Sequence, residues 1–391
     1  MTSAETKLGR TALIVAHVAG MVDLVSMPVW VNTLIHSYEF SPPQAGGLVT
    51  MFLGGVVISS IFWSPRFGRV RGRVLVPIGF ALSALMFLLV TRTTEFPIIA
   101  VCSAIGGLSA GMSLSLTHGT IGHSSNPHRL FSYASMAIGV FALVFLGAAP
   151  SIIAATSGAT LFYIFAGVMA AGAVATVIGF PEPTIVDLPS DHVQIPAKFN
   201  LAIWCNIIGT MLLMLNQVML MSFVEHIGLG RGFGHDKVVA VLAAIGFVNL
   251  APGVLAALLE KRLSATSVAI GGTIVQAIFA WFATHSTTFL LYAIPSVFAT
   301  FIVIFVHTFL FGLLARLEPS NRALASTPAM LMGGSALAPF IAGAVVHFGG
   351  YEALGVAILI GTVFNLGLFF LLRSEVRKLD AAHELRSEAW A

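Results

Sequence analysis

Charge is what this chain has least of. Only 9% of its 391 residues are Asp, Glu, Lys or Arg, and 57% are hydrophobic, whereas soluble domains carry about 25% charged residues. That scarcity excludes a soluble protein with a single anchor, and with it the broad basic surface that nucleic acid needs. Only two cysteines are present, Cys102 and Cys205, both inside apolar runs, so no disulfide framework or cysteine-based metal site is readable. Catalytic signatures are missing too: there is no HExxH, no GxSxG and no Walker loop. The glycine-rich stretch from Gly228 to Gly234 follows no strand and is not a nucleotide site. No cofactor is expected. What remains is apolar sequence, with a mean hydropathy of +0.96. It reads as a polytopic membrane protein whose first partner is the lipid bilayer.

Twelve apolar segments follow one another, near 11–37, 43–64, 74–92, 96–121, 130–154, 158–180, 198–224, 237–260, 266–284, 288–315, 323–347 and 351–373. A bilayer takes about 20 apolar residues to cross, and backbone groups in lipid must be satisfied within the segment, so each is read as a helix. One longer connection, 181–197, holds four prolines and three acids. It divides the chain into a cytoplasmic start (1–10), a six-helix bundle (11–180), a cytoplasmic linker (181–197), a second six-helix bundle (198–373) and a cytoplasmic tail (374–391). Charge placement agrees with that division. With the N-terminus inside, sixteen of the 19 Lys and Arg fall on the inner side, and only Arg92, Arg231 and Lys237 on the outer, as the positive-inside rule requires. The expected location is the plasma membrane, a bacterial inner membrane, with both termini cytoplasmic. The halves also echo each other: Asn126-Pro127-His128-Arg129 enters segment five, and Pro319-Ser320-Asn321-Arg322 enters segment eleven. Two related halves with a site between them are a transporter architecture.

Asp23 lies near the middle of the first segment. With these boundaries it is the one acid placed deep in an apolar run. A carboxylate at mid-depth costs ~2.5 kcal/mol or more on insertion scales, and an intramembrane ionisable group is by default a functional site. The alternative is a packing residue hydrogen-bonded to a neighbour.

Over essentially its whole length the chain resembles the major facilitator superfamily. The resemblance rests on the 6+6 layout, on the loop after segment two and on segment eleven. That family's loop usually reads Asp-Arg-x-Gly-Arg; here Pro65-Arg66-Phe67-Gly68-Arg69 keeps both arginines and the glycine but has Pro65 for the Asp. Segment eleven carries the family-like pattern Gly334, Ala338-Pro339, Ala342-Gly343. Segment five keeps Ala149-Pro150 but lacks the spaced glycines of the family's antiporters. The resemblance implies an all-α fold of twelve transmembrane helices in two bundles, acting as a secondary transporter for a small molecule. It also implies that Arg66, Gly68 and Arg69 help close one face.

It further implies that segments one, four, seven and ten line a cavity. On those segments polar residues recur at helical spacing: Asp23 and Ser26 with Trp30, Ser115 and His118, Asn206, Thr210 and Gln217, and Ser296, Thr300 and His307. They read as a wet substrate face, or alternatively as hydrogen bonds between helices. At 1.5 Å rise per residue, Asp23 and Thr210 both sit roughly 18 Å above the inner ends of their helices, and Thr300 roughly 22 Å. Ser103, Gly107, Gly111 and Ser115 form a small-residue stripe suited to close packing. Phe301, Phe305 and Phe309 are read as packing or lipid-facing. No Lys or Arg lies deep in a segment, which favours a cationic, neutral or amphipathic solute. The expected activity is proton-coupled transport by a monomer, with Asp23 as the coupling group and His307 second. Efflux by antiport is favoured; proton-driven uptake of a small metabolite or organic acid stays open, and a polytopic membrane enzyme is the remoter reading.

Overall fold

A computed structural model describes residues 4–63, 66–67, 69–124, 127–181, 199–318 and 327–388. Among them the fold is all-helical, with no strand. The linker 182–197, Gly68, Asn126 and the 319–322 motif lie outside the described residues. Thirteen helices are described: α1 Lys7–Gly20, α2 Val22–His36, α3 Pro42–Trp63, α4 Gly72–Val90, α5 Phe96–Gly122, α6 Pro127–Ala155, α7 Ala159–Gly179, α8 Leu201–Gly230, α9 His235–Val248, α10 Pro252–Leu259, α11 Ala265–His285, α12 Phe289–Leu317 and α13 Thr327–Glu388.

These helices make twelve passes. The first pass is split at Met21, where φ −115° and ψ 10° end α1 and begin α2. The split departs from the single helix expected over 11–37. Gly20 and Pro28 flank it; a proline lacks the N–H of a helical bond and clashes with the carbonyl four residues back, which weakens this stretch. The eighth pass is likewise two pieces, α9 and α10, with Pro252 opening the second. In α13, the apolar part Met330–Ala381 has 52 residues, roughly 78 Å of helix at 1.5 Å per residue, more than twice a bilayer core of about 30 Å. It turns at Gly350, whose φ of 73° and ψ of −170° suit glycine. Segments eleven and twelve are the two arms of α13.

The outer faces are inverted relative to a soluble protein. Ile58, Val177 and Phe364 stand 64%, 62% and 68% exposed, which is tolerable only against lipid. The interior adds buried polar residues and small residues at helix contacts to an aromatic and aliphatic core. The stripe on α5 packs against α3: a Cβ on Gly107 would meet the Phe52 backbone, and one on Gly111 would lie 2.6 Å from Val56 Cα. Phe305 and Phe309 cluster with Ala256 of α10, so that stripe packs against a neighbouring helix.

The halves meet along three seams: α2 on α8, α3 on α13, and α6 on α9. The named contacts run from the middle of the bundle to the end opposite the termini, here the far end. There, Gly46 faces the Pro339 carbonyl and Gly343 faces Pro42. Phe340 donates its backbone N–H to the Thr50 hydroxyl across the same seam, at 3.2 Å. Toward the middle, Gly246 packs on the Leu143 backbone and Gly139 on Leu250.

Candidate functional site

Asp23 occupies the first turn of α2, immediately after the split. It is 1% exposed, and neither carboxylate oxygen has a hydrogen-bond partner. Its own backbone amide and that of Leu24 lie beside the carboxyl, outside full hydrogen-bond geometry. Amides at a helix start carry the positive end of the helix dipole, which favours an anion there. Ser26 is fully buried and donates to the Asp23 backbone carbonyl at 3.3 Å; it does not touch the carboxylate. The break in the helix thus presents a carboxyl group at mid-depth without tying it down.

A second buried acid stands apart from Asp23. Glu225 of α8 is 3% exposed, and its Oε1 accepts from Asn32 Nδ2 of α2 at 2.9 Å. Its other oxygen has no partner. This corrects the expectation that Asp23 is the only deep acid. The apolar segment was drawn to end at residue 224, because Glu225-His226 resembles a polar boundary, whereas α8 runs on to Gly230. One residue further, His226 Nδ1 lies 3.1 Å from His36 Nε2. Asn32 and His36 are four apart on α2 and so share a face. Tyr292 donates to the carbonyl of Val224 at 2.7 Å, and Tyr351 to that of His226 at 3.4 Å. These bonds hold the last two turns of α8 in place.

The stripes on α8 and α12 do meet, through Gln217 and Thr300. Asn206 donates to the Leu310 carbonyl at 3.0 Å and accepts from Thr210 at 3.4 Å. Gln217 and Thr300 lie 2.7 Å apart. In the amide orientation that satisfies both ends, Thr300 donates to Gln217 Oε1 while Nε2 donates to the Ala299 carbonyl at 3.1 Å. Ser296 is fully buried with its hydroxyl unpartnered. His307 is half-buried beside Phe311, and its Nδ1 has no partner. Ser115 is half-buried on α5.

Two residues sit elsewhere than a cavity wall. Trp30 is 1% exposed within an aromatic core, its ring 5.4 Å from Phe52, 6.0 Å from Phe87 and 5.0 Å from Phe165. It is a packing residue of the first half here. His118 faces His17 of α1, Nε2 to Nδ1 at 2.9 Å. In the loop after α3, Arg66 lies over the Phe62 ring at 3.8 Å, and Arg69 is exposed. Among the described residues, neither forms a bond to the other half.

A twelve-pass bundle of two halves, with buried carboxyls on the helices that join them, defines a secondary transporter. The family model of the Major Facilitator Superfamily matches residues 12–327, and the chain belongs to that family; it is a transporter and not an enzyme. Solved structures agree in fold. A bacterial homologue of the human lysosomal transporter Spinster, in an inward-facing and occupied conformation, superposes with a TM-score of 0.73 at 13% identity, over 96% of this chain and 98% of that one. The nucleoside transporter NupG gives 0.70 at 12% identity, over 94% and 99%. No curated protein sequence matches the chain.

Proposed function

We propose that this transporter moves a small organic solute by proton-coupled alternating access, with Asp23 as the coupling group. The observation that supports this is a carboxyl midway along the first pass, only 1% exposed, with no hydrogen-bond partner on either oxygen. A purely structural carboxyl would be held by donors, because an unsatisfied buried polar group costs about 1–3 kcal/mol and a charged one more. An unheld one is free to take a proton, or a donor on the substrate, and to release it. Uptake of a proton removes a charge that is expensive in lipid, so the two protonation states favour different surroundings. That difference is what couples a proton gradient to movement of the halves.

The solute is cationic, neutral or amphipathic on this reading. The buried charged residues are the two acids, Asp23 and Glu225, with no Lys or Arg beside them among the described residues. An acidic interior without cations favours exchange of a solute for protons, hence efflux by antiport; proton-driven uptake is the second reading. A nucleoside transporter and a homologue of a lysosomal transporter share the fold almost equally well, so the fold does not select the cargo. Gln217, Thr300, Ser296 and His307 are the side chains assigned to the cavity. The remaining assignments come from the charge asymmetry and the loop: a bacterial inner membrane, termini in the cytoplasm, and a gating role for Arg66 and Arg69.

The test is Asp23→Asn, which keeps the shape and cannot change charge. In proteoliposomes with an imposed pH gradient, uphill transport is lost while solute exchange at equal pH survives. An unchanged pH-driven gradient would remove Asp23 from the coupling role.

A further inference from the structure

The paired histidines at the far end are not used by the coupling scheme. They stand on opposite halves of the protein. His36 is the last residue of α2, and His226 lies near the end of α8. The ring centroids are 5.0 Å apart at an interplanar angle of 49°, and the facing nitrogens are 3.1 Å apart. His36 is exposed and His226 half-buried, so the pair is open to solution on that side. Both helices are anchored close by: Asn32 is bonded to Glu225, and Tyr351 to the His226 carbonyl.

We propose that His36 and His226 form a binding site for a divalent d-block metal ion, and that the bound ion locks the two halves together at the far end. Zinc–imidazole bonds are 2.0–2.1 Å, so two nitrogens on one tetrahedral ion lie about 3.3 Å apart. The observed 3.1 Å is within a few tenths of an ångström of that separation before any ion enters. In the free protein one facing nitrogen donates to the other. When the ion enters, the donor ring takes its other neutral tautomer, so that both facing nitrogens offer lone pairs and both protons sit on the nitrogens turned away. Imidazole selects zinc, nickel or copper, while magnesium and calcium prefer oxygen. Among the described residues no third His, Cys, Asp or Glu completes a set, so water fills the other positions and binding is reversible. The ligands come from different halves, so the far end cannot open while both are bound. The ion therefore inhibits rather than drives transport. This inference rests on the family's two-halved fold and not on proton coupling by Asp23.

The test uses untagged, purified full-length protein and zinc ion as the probe. Calorimetric titration gives one site, lost in His36→Ala and in His226→Ala and kept in His347→Ala, a change at another exposed histidine. In a second arm, spin labels at Thr94 and Asp236, exposed positions on the two halves, report the far-end distance. Zinc collapses that distribution to its short component in the parent and leaves it unchanged in His226→Ala; magnesium has no effect. Unfolding temperatures without metal confirm that the variants are folded. Absence of zinc binding by the parent, or binding by either alanine variant equal to the parent's, overturns the proposal. Binding without any change in distance overturns the lock.

Discussion

Two glycines that pack against backbone, Gly46 of α3 and Gly107 of α5, make a controlled experiment on how the halves move. A methyl group at Gly46 would sit 2.6 Å from the Pro339 carbonyl carbon and 3.1 Å from Phe340 Cα, both backbone atoms of the second half. A methyl group at Gly107 of α5 would sit 2.7 Å from the Phe52 carbonyl carbon and 2.9 Å from Phe52 Cα, backbone atoms of α3 in the same half. Carbon atoms rest about 3.5–4.0 Å apart, so each substitution demands that two backbones part by roughly 1 Å. Overpacking of this kind costs about 1–3 kcal/mol. The insult is nearly equal; what differs is whether another state escapes it.

If the α3·α13 seam opens during transport, the far-end-open state does not feel the Gly46→Ala methyl. Gly46→Ala then shifts the open-to-closed ratio at the far end by roughly 5- to 150-fold, the equivalent of 1–3 kcal/mol. Gly107→Ala raises every folded state together, because α3 and α5 travel as one half. It lowers the unfolding temperature and leaves the ratio alone. Pulsed dipolar distances between labels at Thr94 and Asp236 measure the ratio, and thermal unfolding in detergent measures the stability. The reasoning fails if both variants move both readouts alike. It also fails if Gly46→Ala destabilises the protein with no gain in the open population.

Other outcomes follow from single contacts. Glu225→Gln keeps an oxygen for Asn32 Nδ2 and leaves the far-end distance distribution near that of the parent, whereas Glu225→Ala leaves the Asn32 amide unmatched in the closed state, at about 1–3 kcal/mol, and enriches the open population in the same label measurement. Trp30→Ala empties the centre of an aromatic core and lowers stability by about 3–5 kcal/mol; a variant that unfolds like the parent but fails to bind solute would return Trp30 to the cavity.

The long apolar runs made the passes readable, because lipid forces each run into a helix whatever its neighbours do. The small-residue stripe of α5 was readable for a related reason: close packing of two helices needs glycine on one face wherever the partner lies. Glu225 was not. A Glu-His pair after an apolar run looks like the water boundary, and its burial depends on Asn32, 193 residues away. Trp30 misled in a different way. Spacing puts it on the Asp23 face, but α2 is buried on every side from Ser26 to Leu34, so a helical face there does not separate cavity from core. The His17–His118 and His36–His226 pairs needed tertiary proximity, 101 and 190 residues apart in the chain. The polar stripes of α8 and α12 were legible as polar, with a wet face and bonds between helices as alternatives; that Gln217 bonds Thr300 depended on how the two helices pack.

The split at Met21 gives the first pass two jobs. α1 packs on α5, α6 and α7, all in its own half, whereas α2 also packs on α8 of the other half. A continuous helix would tie these contacts into one rod. The break lets α2 tilt on its own, over a length of about 22 Å for 15 residues. Its first turn carries Asp23, and its last turns carry Asn32 and His36, which hold the seam. On the proposed coupling, a proton or a solute at Asp23 changes the charge at the hinge end of this segment, and the seam lies at its other end. No chain of intermediates is required, because one helix, α2, joins the two sites. A coupling of about 1–3 kcal/mol is typical of linked sites, comparable to the net worth of one hydrogen bond, about 0.5–1.5 kcal/mol. The Asn32–Glu225 bond is therefore of a size that a change of charge at Asp23 can make or break.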